Sequence, residues 1–108
     1  MSEGKVYRIF IAPTVNDKMF EHFEFLARVS VPAANKLLDG MLNDIRSLEK
    51  MPYRNASYNR PYLPSGKYRY IISSKRYHII YQIDGDFVFV DDIQDSRQGD
   101  EKSILYPS

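Results

Sequence analysis

The chain has 108 residues, with fifteen Lys or Arg against fourteen Asp or Glu and no cysteine. That length suits a single domain spanning residues 1–108 with one core, and the missing cysteine excludes a disulfide framework and any cysteine-based metal site. No apolar run approaches the roughly 18 residues of a membrane span, and residues 1–5 (MSEGK) lack the apolar core of a secretory signal, so a soluble, cytoplasmic protein is expected.

Residues 6–12 (VYRIFIA) alternate as a strand should, with Tyr7, Ile9 and Ile11 on one face and Val6, Arg8 and Phe10 on the other. Pro13 ends it. Thr14 is the expected N-cap of a first helix over about 15–29, with Val15, Met19, Phe20, Phe23 and Leu26 at helical spacing. Ser30 reads as a second N-cap, and Pro32 is tolerated in the first turn that follows. The second helix should reach about residue 50, on a wide apolar stripe of Ala34, Leu37, Leu38, Met41, Leu42, Ile45 and Leu48. Gly40 weakens it by about 1 kcal/mol relative to alanine or marks close packing.

Residues 51–65 (MPYRNASYNRPYLPS) hold three prolines and little periodicity, a long surface connection of the kind that is often functional. Three antiparallel strands should follow, over 67–72, 77–83 and 86–93, rich in the aromatic and β-branched residues that suit a pleated surface. Asp84-Gly85 is a two-residue hairpin signal and sets Gln82 opposite Phe87, Ile80 opposite Phe89 and His78 opposite Asp91. A four-residue turn over 73–76 places Tyr77 opposite Ile72. With that register Tyr68, Tyr70, Ile72, Tyr77, Ile79, Tyr81, Ile83, Val88 and Val90 form a core face. Lys67, Arg69, Ile71, His78, Ile80, Gln82, Phe87, Phe89 and Asp91 share the other. Strand, helical hairpin and three-stranded meander make an α+β sandwich with the helices on one sheet face. The first strand is expected to pair with the last, because the hairpin returns the chain to the sheet.

Charge is unevenly spread. Residues 50–83 contain seven Lys or Arg, seven of the nine tyrosines and no acid, whereas 84–101 contain seven acids and one base. A basic, tyrosine-rich segment suits RNA, where cations meet phosphates and rings stack on unpaired bases; from charge alone the simpler reading is a half-buried hairpin whose tyrosines are core and whose cations are solvated. There is no Gly-rich phosphate loop, no nucleophile elbow, and two histidines, His22 and His78, too far apart in sequence to suggest a metal site. His78 titrates near neutrality and is the natural proton-transfer group of the second face. There Asp91 would orient it, Arg69 and Arg97 would hold a scissile phosphate, and Lys67, Lys75 and Arg76 would track the RNA backbone. The alternative is an ordinary cross-strand His–Asp pair. Ile80, Phe87 and Phe89, large apolar groups on a polar face, call for a cover: a protein partner or the tail 104–106.

The strand YHIIYQI (77–83), the terminal segment DIQDSRQ (92–98) and the leucine-bearing second helix ending in LEKMP, in this order of elements, resemble the RelE/ParE superfamily of bacterial toxins over about residues 6–98. The resemblance implies a toxin of a type II toxin–antitoxin module of the plasmid-stabilisation type, with a cognate antitoxin that masks its active surface. The leading reading is the RelE-like branch, a ribosome-dependent endoribonuclease that cleaves mRNA without metal or cofactor; the alternatives are the ParE-like branch, which poisons DNA gyrase, and a domain that only binds an antitoxin. On the RelE-like pattern, Arg69 matches a basic position of the first meander strand, Arg97 the arginine after the last strand, and Tyr106 the C-terminal aromatic, so the catalytic set would be His78, Arg97, Arg69 and Tyr106. The chain departs from that pattern at His78, where the family carries arginine, and at Ile71, which is basic in some ribosome-dependent members.

Overall fold

A proline between an apolar strand and an amphipathic helix places the first boundary. The computed structural model describes residues 4–99 and 102–107. It forms a strand Arg8–Ile11 (β1), then helix Pro13–Ala27 (α1), helix Val31–Ser47 (α2), a 3₁₀ turn Pro52–Arg54, and strands Tyr68–Ser73 (β2), Tyr77–Asp84 (β3) and Phe87–Asp95 (β4). Pro13 has no N–H to give a sheet and a φ already suited to a helix, so it opens α1 itself. Thr14 therefore lies inside the first turn instead of capping it, and the cap position falls on Ala12, which makes no side-chain bond. Ser30 does cap α2: its Oγ accepts from the Ala33 N–H at 3.2 Å.

The sheet order is β1-β4-β3-β2, with β1 parallel to β4 and the rest antiparallel. A parallel neighbour requires a crossover, and the α1–α2 hairpin supplies it. Val15 and Met19 of α1, with Met41, Ile45 and the adjoining Leu48, pack on Ile79, Tyr81, Val88, Val90 and Ile93 of the sheet. Each such side chain stabilises the fold by about 1.5–3 kcal/mol on full burial.

Both hairpins differ in register from the expectation. The β2–β3 turn has three residues, so Ser73 faces Tyr77 and Ile72 faces His78. Ser74 and Lys75 adopt left-handed φ values of 52° and 61° to make it. This one-residue shift turns β2 over: Arg69 and Ile71 join the helix-side face with Tyr81 and Ile79, while Tyr68, Tyr70 and Ile72 join His78 and Ile80 on the other. The expectation rested on one buried and one open face. The sheet instead buries part of both, since Tyr58, Tyr68 and Ile80 form a second core against Leu63, Tyr70 and Leu105, so β2 gains nothing from sorting its apolar residues to the helix side.

In the β3–β4 hairpin, Asp84 faces Phe87 and the turn is centred on Gly85-Asp86, with Gly85 at φ 59° in the first central position. Pairs move by two, which keeps the faces. A bulge between Ile80 and Tyr81 then accommodates Asp91, so Gln82 faces Phe89, Ile80 faces Asp92 and His78 faces Gln94. The expected His78–Asp91 opposition is absent.

β1 pairs with β4 only as far as Ile11 beside Val90. Beyond it, Lys18 closes the edge: its Nζ donates to Asp92 Oδ1 (2.8 Å), to the Ile93 carbonyl (3.0 Å) and to the Lys102 carbonyl (3.0 Å). Asp92 is fully buried and also accepts from Ser103 Oγ (2.5 Å), the Ile104 N–H (3.0 Å) and the Ile93 N–H (2.8 Å). On β2's outer side, the Tyr58 N–H donates to the Tyr68 carbonyl and the Tyr70 N–H to the Ala56 carbonyl, so the long connection pairs along that edge.

Lys18→Met should destabilise the protein by about 3–5 kcal/mol, because it leaves a buried carboxylate without its cation; urea denaturation and faster tryptic cleavage after Lys102 would show it, and an unchanged midpoint would contradict it. A methyl group on Gly40 would meet only Ser74 Oγ at 3.6 Å, an ordinary contact, so the glycine does not mark tight packing. Gly40→Ala should stabilise by about 0.4–1 kcal/mol, seen as a higher urea midpoint at unchanged slope.

Candidate functional site

His78 lies on the face away from the helices, its ring 4.9 Å from that of Tyr70 and 6.2 Å from that of Tyr58. Its Nδ1 is buried and has no hydrogen-bond partner among the described residues. Burial, and then the nearby Arg60 charge, hold its pKa below the ordinary 6.5. Arg60 lies over the Tyr58 ring at 4.3 Å. The intended orienting carboxylate is elsewhere: Asp91 accepts from Gln82 Nε2 at 2.6 Å. These surroundings favour the neutral form of His78, where an Asp91 pairing would have favoured its charged form.

The predicted cations are dispersed. Arg69, on the opposite face from His78, donates to the Tyr53 carbonyl (3.2 Å) and the Asn55 carbonyl (2.6 Å), with its guanidinium over the Tyr53 ring. It ties down the 3₁₀ turn. Arg76 grips Asp95 Oδ2 through Nε (3.0 Å) and Nη2 (2.7 Å). Arg97, two residues on, has its Nε 3.7 Å from the same carboxylate and leaves most of its side chain in solvent. The bond from Arg76 holds the Asp95 pKa below its usual value. Because Asp95 faces Tyr77, this group belongs to the helix side of the sheet end. Lys67 is exposed beside the Tyr68 ring and Lys75 is exposed in the β2–β3 turn. Tyr106 packs edge-on against Tyr62 at 5.0 Å. The four residues expected to be catalytic are therefore not brought together.

Ile80 is fully buried beneath the connection and Leu105 of the tail, so it cannot meet a partner; the long connection and the tail supply its cover. Phe87 and Phe89 remain accessible and form one cluster with Phe10, whose ring is 5.6 Å from each. Phe10 is 49% and Phe87 37% exposed, an aromatic patch on the part of the sheet that the connection and tail leave uncovered. Sequence reading grouped Phe10 with β1 alone, since only the β1–β4 pairing places it beside Phe89. Among the described residues, no group of three His, Asp or Glu side chains is arranged to hold a metal ion, and no helix is long and apolar enough to cross a membrane.

Residues 9–99 match the family model described as the ParE toxin of the type II toxin–antitoxin system parDE. The chain belongs to the ParE toxin family. The fold of this ParE-family chain is also that of a solved structure titled the chromosomal ParDE TA system from P. aeruginosa, at a TM-score of 0.64 and 10% identity, covering 80% of this chain and 91% of that one. No curated protein matches. The family range stops at residue 99, before the tail that Asp92 holds. Asp92 and Asp95, which decide the placement of Lys18, Arg76 and Arg97, read in sequence only as members of an acidic run.

The ParE-family chain should lose stability on acidification in two windows. His22, also lowered below 6.5 by burial first, and His78 bind protons in the unfolded chain at about pH 6.5 and in the native state only at lower pH, so stability falls as pH drops below 6.5. Asp95, depressed by Arg76, contributes stability above its unfolded pKa that disappears as pH falls through its lower folded value. His78→Gln should flatten the first slope and leave the second unchanged, as measured by denaturation between pH 3 and 8; a slope identical to wild type would contradict the assignment.

Proposed function

We propose that this toxin acts by binding, with DNA gyrase as its target, and that the Phe10–Phe87–Phe89 patch is where its cognate antitoxin docks. The observation that carries the reading is the dispersal of the acid–base and phosphate-binding groups. His78 faces one way among tyrosines and Arg69 the other, while Arg76 and Arg97 attend Asp95. Cleavage of RNA by 2′-OH attack needs a proton acceptor and a cation converging on one phosphate. A binding toxin needs only complementary surface, and membership of the ParE family favours that branch.

The competing reading is a ribosome-dependent mRNA endoribonuclease. In its favour are the acid-free stretch over 50–83 and the exposed Lys67 and Lys75. The two separate cleanly. The purified chain should inhibit gyrase supercoiling and trap cleaved DNA, and His78→Gln should retain full toxicity. If instead the wild type cleaves mRNA on isolated ribosomes and His78→Gln slows it by about 10²–10⁴-fold, the usual share of a positioned acid or base, the ribonuclease reading replaces this one.

A further inference from the structure

Where residue 5, the strand start and the 3₁₀ turn meet, a cavity of about 380 Å³ is lined by Lys5, Tyr7, Lys50, Tyr53 and Arg54, among others, with no carboxylate among the described residues of its wall. The volume falls in the range of small-molecule sites, about 300–1,000 Å³. Lys5 is engaged with Asp86 at 3.0 Å. Among the described residues, Lys50 and Arg54 have no carboxylate partner within 4 Å, and Arg54 donates to Met51 Sδ at 3.7 Å. Tyr7 and Tyr53 meet edge-to-face at 6.3 Å, and Tyr53 keeps 59% of its surface in solvent.

The wall is built before any ligand arrives. Arg69 holds the Tyr53 and Asn55 carbonyls. The buried Tyr81 hydroxyl donates to the Pro52 carbonyl and accepts from Asn55 Nδ2 at 3.1 Å. The Tyr7 N–H donates to the Glu49 carbonyl at 2.8 Å. Ordering of these groups on binding is therefore small.

We propose that this cavity binds a 5′-phosphorylated nucleotide, its phosphate on Lys50 and Arg54 and its base against Tyr53. Two cations without a carboxylate partner call for an anion. The Tyr53 ring beside them has Arg69 over it at 5.4 Å yet keeps 59% of its surface in solvent, and that exposed part suits a flat partner, since base–aromatic stacking tolerates any base. Neither group belongs to the face that carries His78 or to the Phe10–Phe87–Phe89 patch, so the site is distinct from the surface proposed for the antitoxin. A free mononucleotide and the phosphorylated end of a single strand present the same chemistry.

The test is an NMR titration of the full chain with AMP, adenosine, inorganic phosphate, and a DNA tetranucleotide with and without a 5′-phosphate. AMP, the phosphorylated tetranucleotide or both should shift the Tyr7 and Tyr53 ring resonances. They should bind at least about tenfold more tightly than adenosine, phosphate or the unphosphorylated strand, the scale of one lost stacking or phosphate contact. Binding of AMP assigns the site to free nucleotides; binding of the phosphorylated strand alone assigns it to strand ends. Lys50→Gln with Arg54→Gln should weaken binding about tenfold or more at an unchanged melting temperature, and Tyr53→Leu should weaken AMP while leaving inorganic phosphate unaltered. Unshifted rings at millimolar AMP and oligonucleotide, equal affinity for all five probes, or a double variant that binds like wild type would overturn the proposal.

Discussion

A single buried carboxylate holds the outer parts of this molecule to its sheet. Asp92 has no exposed surface, and a carboxylate in that position persists only when its oxygens are satisfied. Lys18 supplies the charge from α1, Ser103 a hydroxyl from the tail, and residues 93 and 104 their N–H groups. Helix, strand and tail are thereby tied at one point, where β1 has ended and the edge of β4 would otherwise lie open. The tail so fixed brings Leu105 onto the second core, over Ile80.

The second core changes what the sheet can offer. Roofed by helices on one side and partly by the connection and tail on the other, it leaves the β1–β4 part of the second face for contact with other molecules, and there the aromatic cluster sits. Tyr58 and Arg60 of that cover, with Tyr70 of β2, surround His78. Desolvation first, and then the nearby Arg60 charge, lower the pKa of this histidine, whose buried Nδ1 has no hydrogen-bond partner among the described residues.

Internal partners also divide the basic residues into two classes. Arg69 secures the 3₁₀ turn and Arg76 places two N–H groups on Asp95 Oδ2, so the geometry of each is committed to the fold. Among the described residues, Lys50, Arg54, Lys67 and Lys75 make no such bond to a carboxylate, which leaves their charge to solvent or a partner. A count of cations along the chain cannot separate these classes, because both look alike until their neighbours are known.

Local chemistry made much of the fold legible. The order of elements follows from periodicity, the cap at Ser30 from a hydroxyl before a proline-led helix, and the β3–β4 turn from its glycine. The α2 stripe of Met41 and Ile45, with Leu48 just past its end, packs as its spacing implies, and the strand and terminal segments carried enough pattern to indicate the family. Register was not legible, because each strand in the meander is apolar on both faces. Without a polar face to forbid it, a one-residue slip changes no local preference, and only the contacts of distant segments choose. Tyr58 and Leu63 from the connection and Leu105 from the tail made that choice for β2, the Gly85-Asp86 turn and the bulge at Asp91 made it for β4, and together they parted His78 from the residues expected beside it. The sequence by itself determined which elements form and in what order. Which side chains share a face was decided by the tertiary structure alone, because that depends on what covers each face of the sheet.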